Sequence, residues 1–199
     1  MSDYGKITWD KYYHEICNVV SKNSKCFSRN VGSIIVMDKS IISTGYNGPP
    51  RGVKPCNQRI WLDKNIMKIF FEKFGEITYE KIIEIEKSNG KCPRRWLDFK
   101  SGEGLEWCVA GHGERNSIVQ AAREGIKVKG TTMFMNCNVP CSQCLVEIIN
   151  SGIREIVVED FSFYDVSSEY LINESDLQVR KYLFNLNEGE LIYFEKKGD

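Results

Sequence analysis

Trp9, Tyr12, Tyr13, Ile16, Val19 and Val20 recur three and four residues apart, the spacing of one face of an α-helix. Thr8 or Asp10 can cap its start, so a first helix is expected from Thr8 to about Ser24 with this stripe in the core. His14 falls on the same helix and reads as a packing or surface histidine. The period then changes. Val31-Gly32-Ser33-Ile34-Ile35-Val36 is short, apolar and rich in β-branched residues, Asp38-Lys39-Ser40 interrupts it, and Ile41-Ile42-Ser43-Thr44-Gly45 resumes it. Two strands joined by a tight polar turn make a hairpin. The stretch Gly45 to Val53 is a loop punctuated by glycine and proline, of the kind that lines small-molecule sites at strand ends.

Residues 54–107 carry two further helical patterns. One runs from Trp61 to Phe74 and ends at Gly75, and the other from Glu76 to Ser88, closed by Asn89-Gly90. Lys91-Cys92-Pro93-Arg94-Arg95-Trp96 reads first as a solvated turn and second as a phosphate or nucleic-acid contact. Beyond it, Glu114 to Glu124 is expected as a helix with Ile118, Val119, Ala121 and Ala122 inward, stopped at Gly125. Thr131–Asn136 reads as a strand, Cys141 to Gly152 as a helix, and Arg154–Glu159 as a strand; strand, helix and strand with short joints form a parallel βαβ unit. Phe161-Ser162-Phe163-Tyr164 can cover a ligand, meet a neighbour or simply pack. Asp176–Phe184 is expected as a helix, and Leu191-Ile192-Tyr193-Phe194 as a last strand at the sheet edge. The sum is one domain, 1–199, of three-layer α/β/α architecture, with a mixed five-stranded sheet and a helical insertion at 54–107.

Composition narrows the class. Twenty-seven basic residues balance 27 acidic ones, which argues against a basic nucleic-acid groove. Eight cysteines at irregular spacing read as reduced thiols with some metal ligands. Met1-Ser2-Asp3-Tyr4 lacks the layout of a signal peptide, and no run reaches the ~18 apolar residues of a membrane span. A cytoplasmic enzyme is the default expectation.

The chemistry is concentrated in Gly111-His112-Gly113-Glu114 and Pro140-Cys141-Ser142-Gln143-Cys144. Together they read H-x-E followed by P-C-x-x-C, the pattern of zinc deaminases. Water is too weak a nucleophile to displace an exocyclic amine. A zinc ion on three protein ligands keeps a fourth position for it and lowers its pKa towards ~7. His112, Cys141 and Cys144 are the candidate ligands. Glu114 is the candidate catalytic residue, placed to carry protons from water to the ring and then to the departing amine. A structural zinc usually takes four protein ligands; three plus a nearby carboxylate favour catalysis.

Ser28-Arg29, Val31-Gly32, the run Ile42–Gly52 with its Gly45-Tyr46-Asn47-Gly48 loop, His112-Gly113-Glu114 with Asn116, and Pro140-Cys141 with Cys144 resemble deoxycytidylate (dCMP) deaminases of the phage and viral branch. The resemblance covers roughly residues 28–52 and 108–158. It implies zinc-dependent hydrolysis of dCMP to dUMP and ammonia, with a 5-modified dCMP or a base in RNA or single-stranded DNA as the alternative substrate. It implies substrate contacts at Asn47, Arg29 and Asn116, with Arg29 facing the 5′-phosphate. It also implies a homo-oligomer, often a hexamer, and dCTP and dTTP as effectors with magnesium. In some phage relatives the insertion holds a second, structural zinc, for which Cys56, Cys92 and Cys108 are the available thiols; with no tight spacing among them, they read first as ordinary buried thiols. Two positions depart from the pattern. Gly113 stands where the family usually has alanine, and Asn136-Cys137-Asn138-Val139 replaces an apolar or threonine-rich strand end.

Overall fold

The computed structural model describes residues 7–100, 102–185 and 190–197. The chain divides into two compact units, one comprising Met1–Ser24, Val31–Tyr46 and His112–Asp199, the other Lys25–Asn30 and Asn47–Gly111.

In the first unit a five-stranded sheet runs in the order β2-β1-β3-β4-β5. Its strands are β1 (Gly32–Met37), β2 (Ser40–Tyr46), β3 (Thr132–Met135), β4 (Glu155–Val158) and β5 (Gln178–Lys181). β1 is antiparallel to both β2 and β3, whereas β3, β4 and β5 are parallel, so the sheet is mixed as expected. The β1–β2 turn is made by Asp38 and Lys39, both with positive φ, the two-residue geometry whose twist suits a hairpin. Because strand side chains alternate, each strand feeds both faces. Ile34, Val36, Phe134 and Val157 pack with Tyr13 and Cys17 of α1 (Trp9–Ser21). Ile35, Met133, Met135 and Ile156 pack on the other face, against residues of α6 (Gly113–Arg123), α7 (Ser142–Asn150) and α8 (Val166–Glu174). That gives three layers, α/β/α.

α1 buries only part of the stripe the pattern predicts: Tyr13 enters the core and Ile16 and Val20 pack partly buried against it. Thr8 caps the helix as expected, but Trp9, Tyr12 and Val19 are exposed and the buried positions are Asp10, Tyr13, Cys17 and Ser21. The reason is close approach to β1. A Cβ on Gly32 would lie 2.2 Å from the Cys17 carbonyl oxygen and 2.7 Å from the Ser21 nitrogen, so the helix turns its small residues to the sheet. Asp10 is buried because the Arg180 guanidinium meets both its carboxylate oxygens, at 2.5 and 3.0 Å, and donates to Glu155 at 3.1 Å.

The segment Asp176–Phe184, expected as a helix, is strand β5 with its flanks. Leu177 and Val179 enter one core cluster and Tyr182 the other, and Arg180, buried through its ion pairs, takes a core position that reads as polar. The expected strand at Leu191–Phe194 reduces to one bridge, Arg180 to Tyr193, flanked by Lys181 N–H to Ile192 and Phe194 N–H to Val179 bonds. Phe161 and Phe163 pack edge-on against Phe194. No helix among the described residues is long and apolar enough to cross a membrane.

The second unit is helical: α2 (Arg59–Leu62), α3 (Lys64–Phe74), α4 (Tyr79–Asn89) and α5 (Pro93–Trp96). Asp63 splits the expected Trp61–Phe74 helix, because its carboxylate accepts from the Asn65 and Ile66 amides and starts α3 afresh. Ile60, Ile66, Phe70, Ile82 and Trp96 form its core. Trp96, which the sequence places in a basic turn, is buried, and its indole N–H donates to the Gly90 carbonyl at 2.6 Å.

Candidate metal centre

Both halves of the motif sit at helix starts on one side of the first unit's sheet. His112 is the residue before α6 and Cys141 the residue before α7, each in extended conformation, and Cys144 lies in the first turn of α7. The His112 Nδ1 is 3.3 Å from Cys144 Sγ and 3.5 Å from Cys141 Sγ, and the three donor atoms all lie within 4.8 Å of one another. Zn–S bonds of about 2.3 Å and Zn–N bonds of about 2.0–2.1 Å at a tetrahedral angle give an N···S edge of about 3.6 Å. The donor set therefore fits zinc in kind and in size. Among the described residues this is the only such group of three; Cys56, Cys92 and Cys108 do not form one, although they lie near enough to add to the burial that pushes the Cys56 thiol up to about 11.

Glu114, in the first turn of α6, is 3% exposed. Its Oε1 lies 4.0 Å from the Cys137 thiol and its backbone carbonyl accepts from the Ser117 hydroxyl at 2.7 Å. The two zinc-site thiols divide a proton between them. The bond from Cys144, helped by the His112 ring, holds Cys141 down to about 4 against the opposing effect of burial. The same bond, with burial and the Glu114 charge, pushes Cys144 up. Arg115 supplies a nearby cation, which favours the anionic form of Cys144, and it ties α6 to α7 through Glu147 at 2.7 Å.

What sets α6 against the sheet is a contact between backbones. A Cβ on Gly45 would lie 2.2 Å from both the Gly113 oxygen and the Ser117 nitrogen. Ser33, Ser43 and Ser117 fill the same seam, with the Ser43 hydroxyl donating to the Ser117 carbonyl at 2.7 Å and Ser33 to the Ser117 hydroxyl at 3.1 Å. Gly113 itself faces the Val31 carbonyl, 3.0 Å from where a Cβ would sit, so glycine relieves a tight contact there.

α7 is held from behind by Asp165. One carboxylate oxygen accepts the Ser142 amide and the other the Ser168 amide, each at 2.9 Å. The buried Ser168 hydroxyl also donates to the Pro140 carbonyl at 3.0 Å. One residue thus caps α8 and fixes the turn that carries Cys141. Sequence reading missed Asp165, although Asp-Val-Ser-Ser-Glu ahead of a helix is an N-cap signal. It also missed Arg115 and the serine seam, which no local pattern marks.

The expected substrate residues are placed as follows. Asn116 lies on α6 and donates its amide to the Tyr46 carbonyl at 2.8 Å, bracing helix to strand. In the second unit Asn47 is buried and donates to the Arg29 carbonyl at 2.8 Å, while Arg29 itself is exposed. His14 packs between Tyr182 and Phe184, with Nε2 2.8 Å from Glu159. As expected, it is not part of the metal group.

Residues 7–160 match the family model described as the cytidine and deoxycytidylate deaminase zinc-binding region. The chain belongs to this family. Among relatives, the deoxycytidylate deaminase of Schizosaccharomyces pombe is 29% identical over 177 residues, 88% of this chain and 44% of that one. That of enterobacteria phage T4 is 36% identical over 151 residues, 72% of this chain and 73% of its own. The chain thus spans less than half of the yeast relative. A crystal structure of dCMP deaminase from the cyanophage S-TIM5, in complex with dCMP and dUMP, shares the fold with a TM-score of 0.55 at 19% identity, covering 85% of this chain and 93% of that one. The family's zinc-binding character agrees with the group at His112, Cys141 and Cys144.

Proposed function

We propose that the chain catalyses hydrolytic deamination of dCMP, converting dCMP and water to dUMP and ammonia. The observation that carries this reading is the convergence of His112, Cys141 and Cys144 within 4.8 Å at two helix starts, with the buried Glu114 carboxylate on the same first turn. The names of the phage and yeast relatives support dCMP as the substrate.

His112 through a ring nitrogen, and Cys141 and Cys144 as thiolates, would hold the cation. Zinc, when bound, supplies the Lewis acidity that brings the pKa of water to about 7. Glu114 takes the proton from the attacking water on its carboxylate and delivers it to the ring nitrogen beside the reacting carbon. It then carries a proton to the exocyclic nitrogen, which leaves as ammonia.

Asn47, Arg29 and Asn116 are assigned to the nucleotide on the family resemblance, Arg29 to its phosphate. The same resemblance supports a hexameric assembly, and activation by dCTP with magnesium and inhibition by dTTP through the Gly45–Gly52 loop; a cytoplasmic location rests on the sequence composition alone. Ammonia release from cytidine, CMP, dCMP, dCTP and 5-modified dCMP tests the substrate. A clear preference for dCMP is expected, and equal or greater turnover of free cytidine or of a base in an oligonucleotide overturns it. Rates that do not respond to dCTP or dTTP overturn the regulatory part alone.

A further inference from the structure

The second unit contains a hollow of about 470 Å³ whose wall includes Phe27, Asn89, Arg95, Asp98, Phe99 and Lys100. We propose that it binds a nucleoside phosphate, its ring against the phenyl groups and its phosphate on Arg95 and Lys100. The volume lies in the range of small-molecule sites.

Charge is the first support. Neither the Arg95 guanidinium nor the Lys100 ammonium meets an acid or a hydrogen-bond acceptor among the described residues. The acid in the wall, Asp98, is already matched: Lys73 donates to it at 2.6 Å and the Asn89 amide at 3.4 Å. Two cationic residues with no acidic partner among the described residues therefore line a hollow whose own carboxylate is satisfied. A guanidinium fork beside an ammonium is an arrangement that suits a phosphate.

Shape is the second. Asp98 has φ of 62°, the left-handed conformation that usually falls to glycine. It closes α5 with bonds from its own amide to Arg95 and from the Phe99 amide to Arg94, at 3.1 and 3.0 Å. This reversal brings Phe99 and Lys100 back beside Arg95. Gly104 then holds the Phe99 ring in place, since a Cβ there would lie 2.4 Å from it. Phe27 is 38% exposed and belongs to none of the core clusters. An exposed Phe27 and a half-buried Phe99 in one wall with these two cations form a platform on which a base stacks while its phosphate is neutralised. The basic stretch from Lys91 to Trp96 contributes Arg95 to this site, while Trp96 goes to the core.

Titration calorimetry on the full chain with dGMP, deoxyguanosine and inorganic phosphate tests the site; a guanine offers no cytosine amine to the zinc centre. Binding of dGMP tighter than about 1 mM is expected, weakened at least fivefold by Arg95→Gln and by Lys100→Gln and by added salt. Phe99→Leu should weaken dGMP and deoxyguanosine but leave phosphate unchanged, and thermal midpoints near wild type show that the variants fold. Absence of dGMP binding, or affinity untouched by both charge variants, overturns the proposal. So does affinity for a single-stranded oligonucleotide that rises with its length, which would make the occupant a nucleic-acid strand.

Discussion

Gly45→Ala is the sharpest perturbation of the zinc centre that leaves every donor atom in place. The added methyl would start 2.2 Å from the Gly113 oxygen and the Ser117 nitrogen. Both are backbone atoms of α6 and cannot rotate away. Restoring an ordinary contact of 3.4 Å requires α6 to withdraw by roughly 1 Å, and such overpacking costs about 1–3 kcal/mol. The withdrawal carries His112 away from Cys141 and Cys144, whose present separations of 3.5 and 3.3 Å leave little slack before the edge exceeds that of a zinc tetrahedron. A misplacement of about 1 Å costs on the order of 10²-fold in turnover. Gly32→Ala is the matched control, since its methyl also starts 2.2 Å from a backbone oxygen but drives α1 off the opposite face. Zinc affinity by chelator competition, turnover, and thermal midpoint are measured for both. Gly45→Ala should lose zinc affinity and turnover out of proportion to its stability, and Gly32→Ala stability alone. Equal loss of zinc affinity in the two variants refutes the reasoning.

Glu114→Gln should keep the fold and the zinc content yet lower turnover by at least about 10²–10⁴-fold; residual activity near wild type removes Glu114 from proton transfer. Asp165→Ala should weaken zinc about 10–100-fold, as loss of groups that orient ligands does, with Asp165→Asn intermediate because one acceptor oxygen survives; unchanged chelator competition contradicts the bracing role. Burial alone would raise the Asp165 carboxyl, but the Ser142 and Ser168 amides outweigh it and hold it below its usual range. Its stabilisation is therefore present above about pH 3.9 and lost as pH falls through the lower folded value. Below about pH 4 the thermal midpoint of the wild type should fall more steeply than that of Asp165→Asn, and parallel curves would be the contrary result. Arg180→Met strands Asp10 and Glu155 without their cation and should cost about 3–5 kcal/mol in denaturant titrations; a cost under about 1 kcal/mol would mean that the ion pairs are not what holds this end of the sheet.

The convergence of His112, Cys141 and Cys144 was readable from the sequence because it lies in residue type and spacing. His112, Glu114, Cys141 and Cys144 stand at two helix starts, and helix starts announce themselves. The sheet was readable as far as β4, whose short apolar runs keep their alternation or end in turn residues. It failed at β5 for a physical reason. Arg180 occupies a core position only because Asp10 and Glu155 neutralise it, and no local window contains those partners. α8 escaped because Val166 and Tyr170, 88% and 64% exposed, face solvent and blur any apolar stripe. The stripe on α1 is rotated by the opposite effect: Gly32 admits the helix so closely that Cys17 and Ser21 join Tyr13 on the sheet side, while Trp9 and Tyr12 face out. Gly45 and Asp165 act through long-range contact, which a sequence records only as a small residue and a cap.

The bond between Asp10 and Arg180 joins positions 170 apart. At translation rates of about 5–20 residues per second, roughly ten to thirty seconds pass between the ribosome adding one and adding the other. Throughout that interval the amino-terminal helix carries an unneutralised carboxylate on the face destined for the interior. It can coil but not seat itself, and the Leu183 amide, which also bonds Asp10 at 2.7 Å, is polymerised later still. Maturation of the nascent polypeptide is thereby tied to the arrival of β5, and a product stalled short of Arg180 would present that unfinished flank to chaperones and proteases.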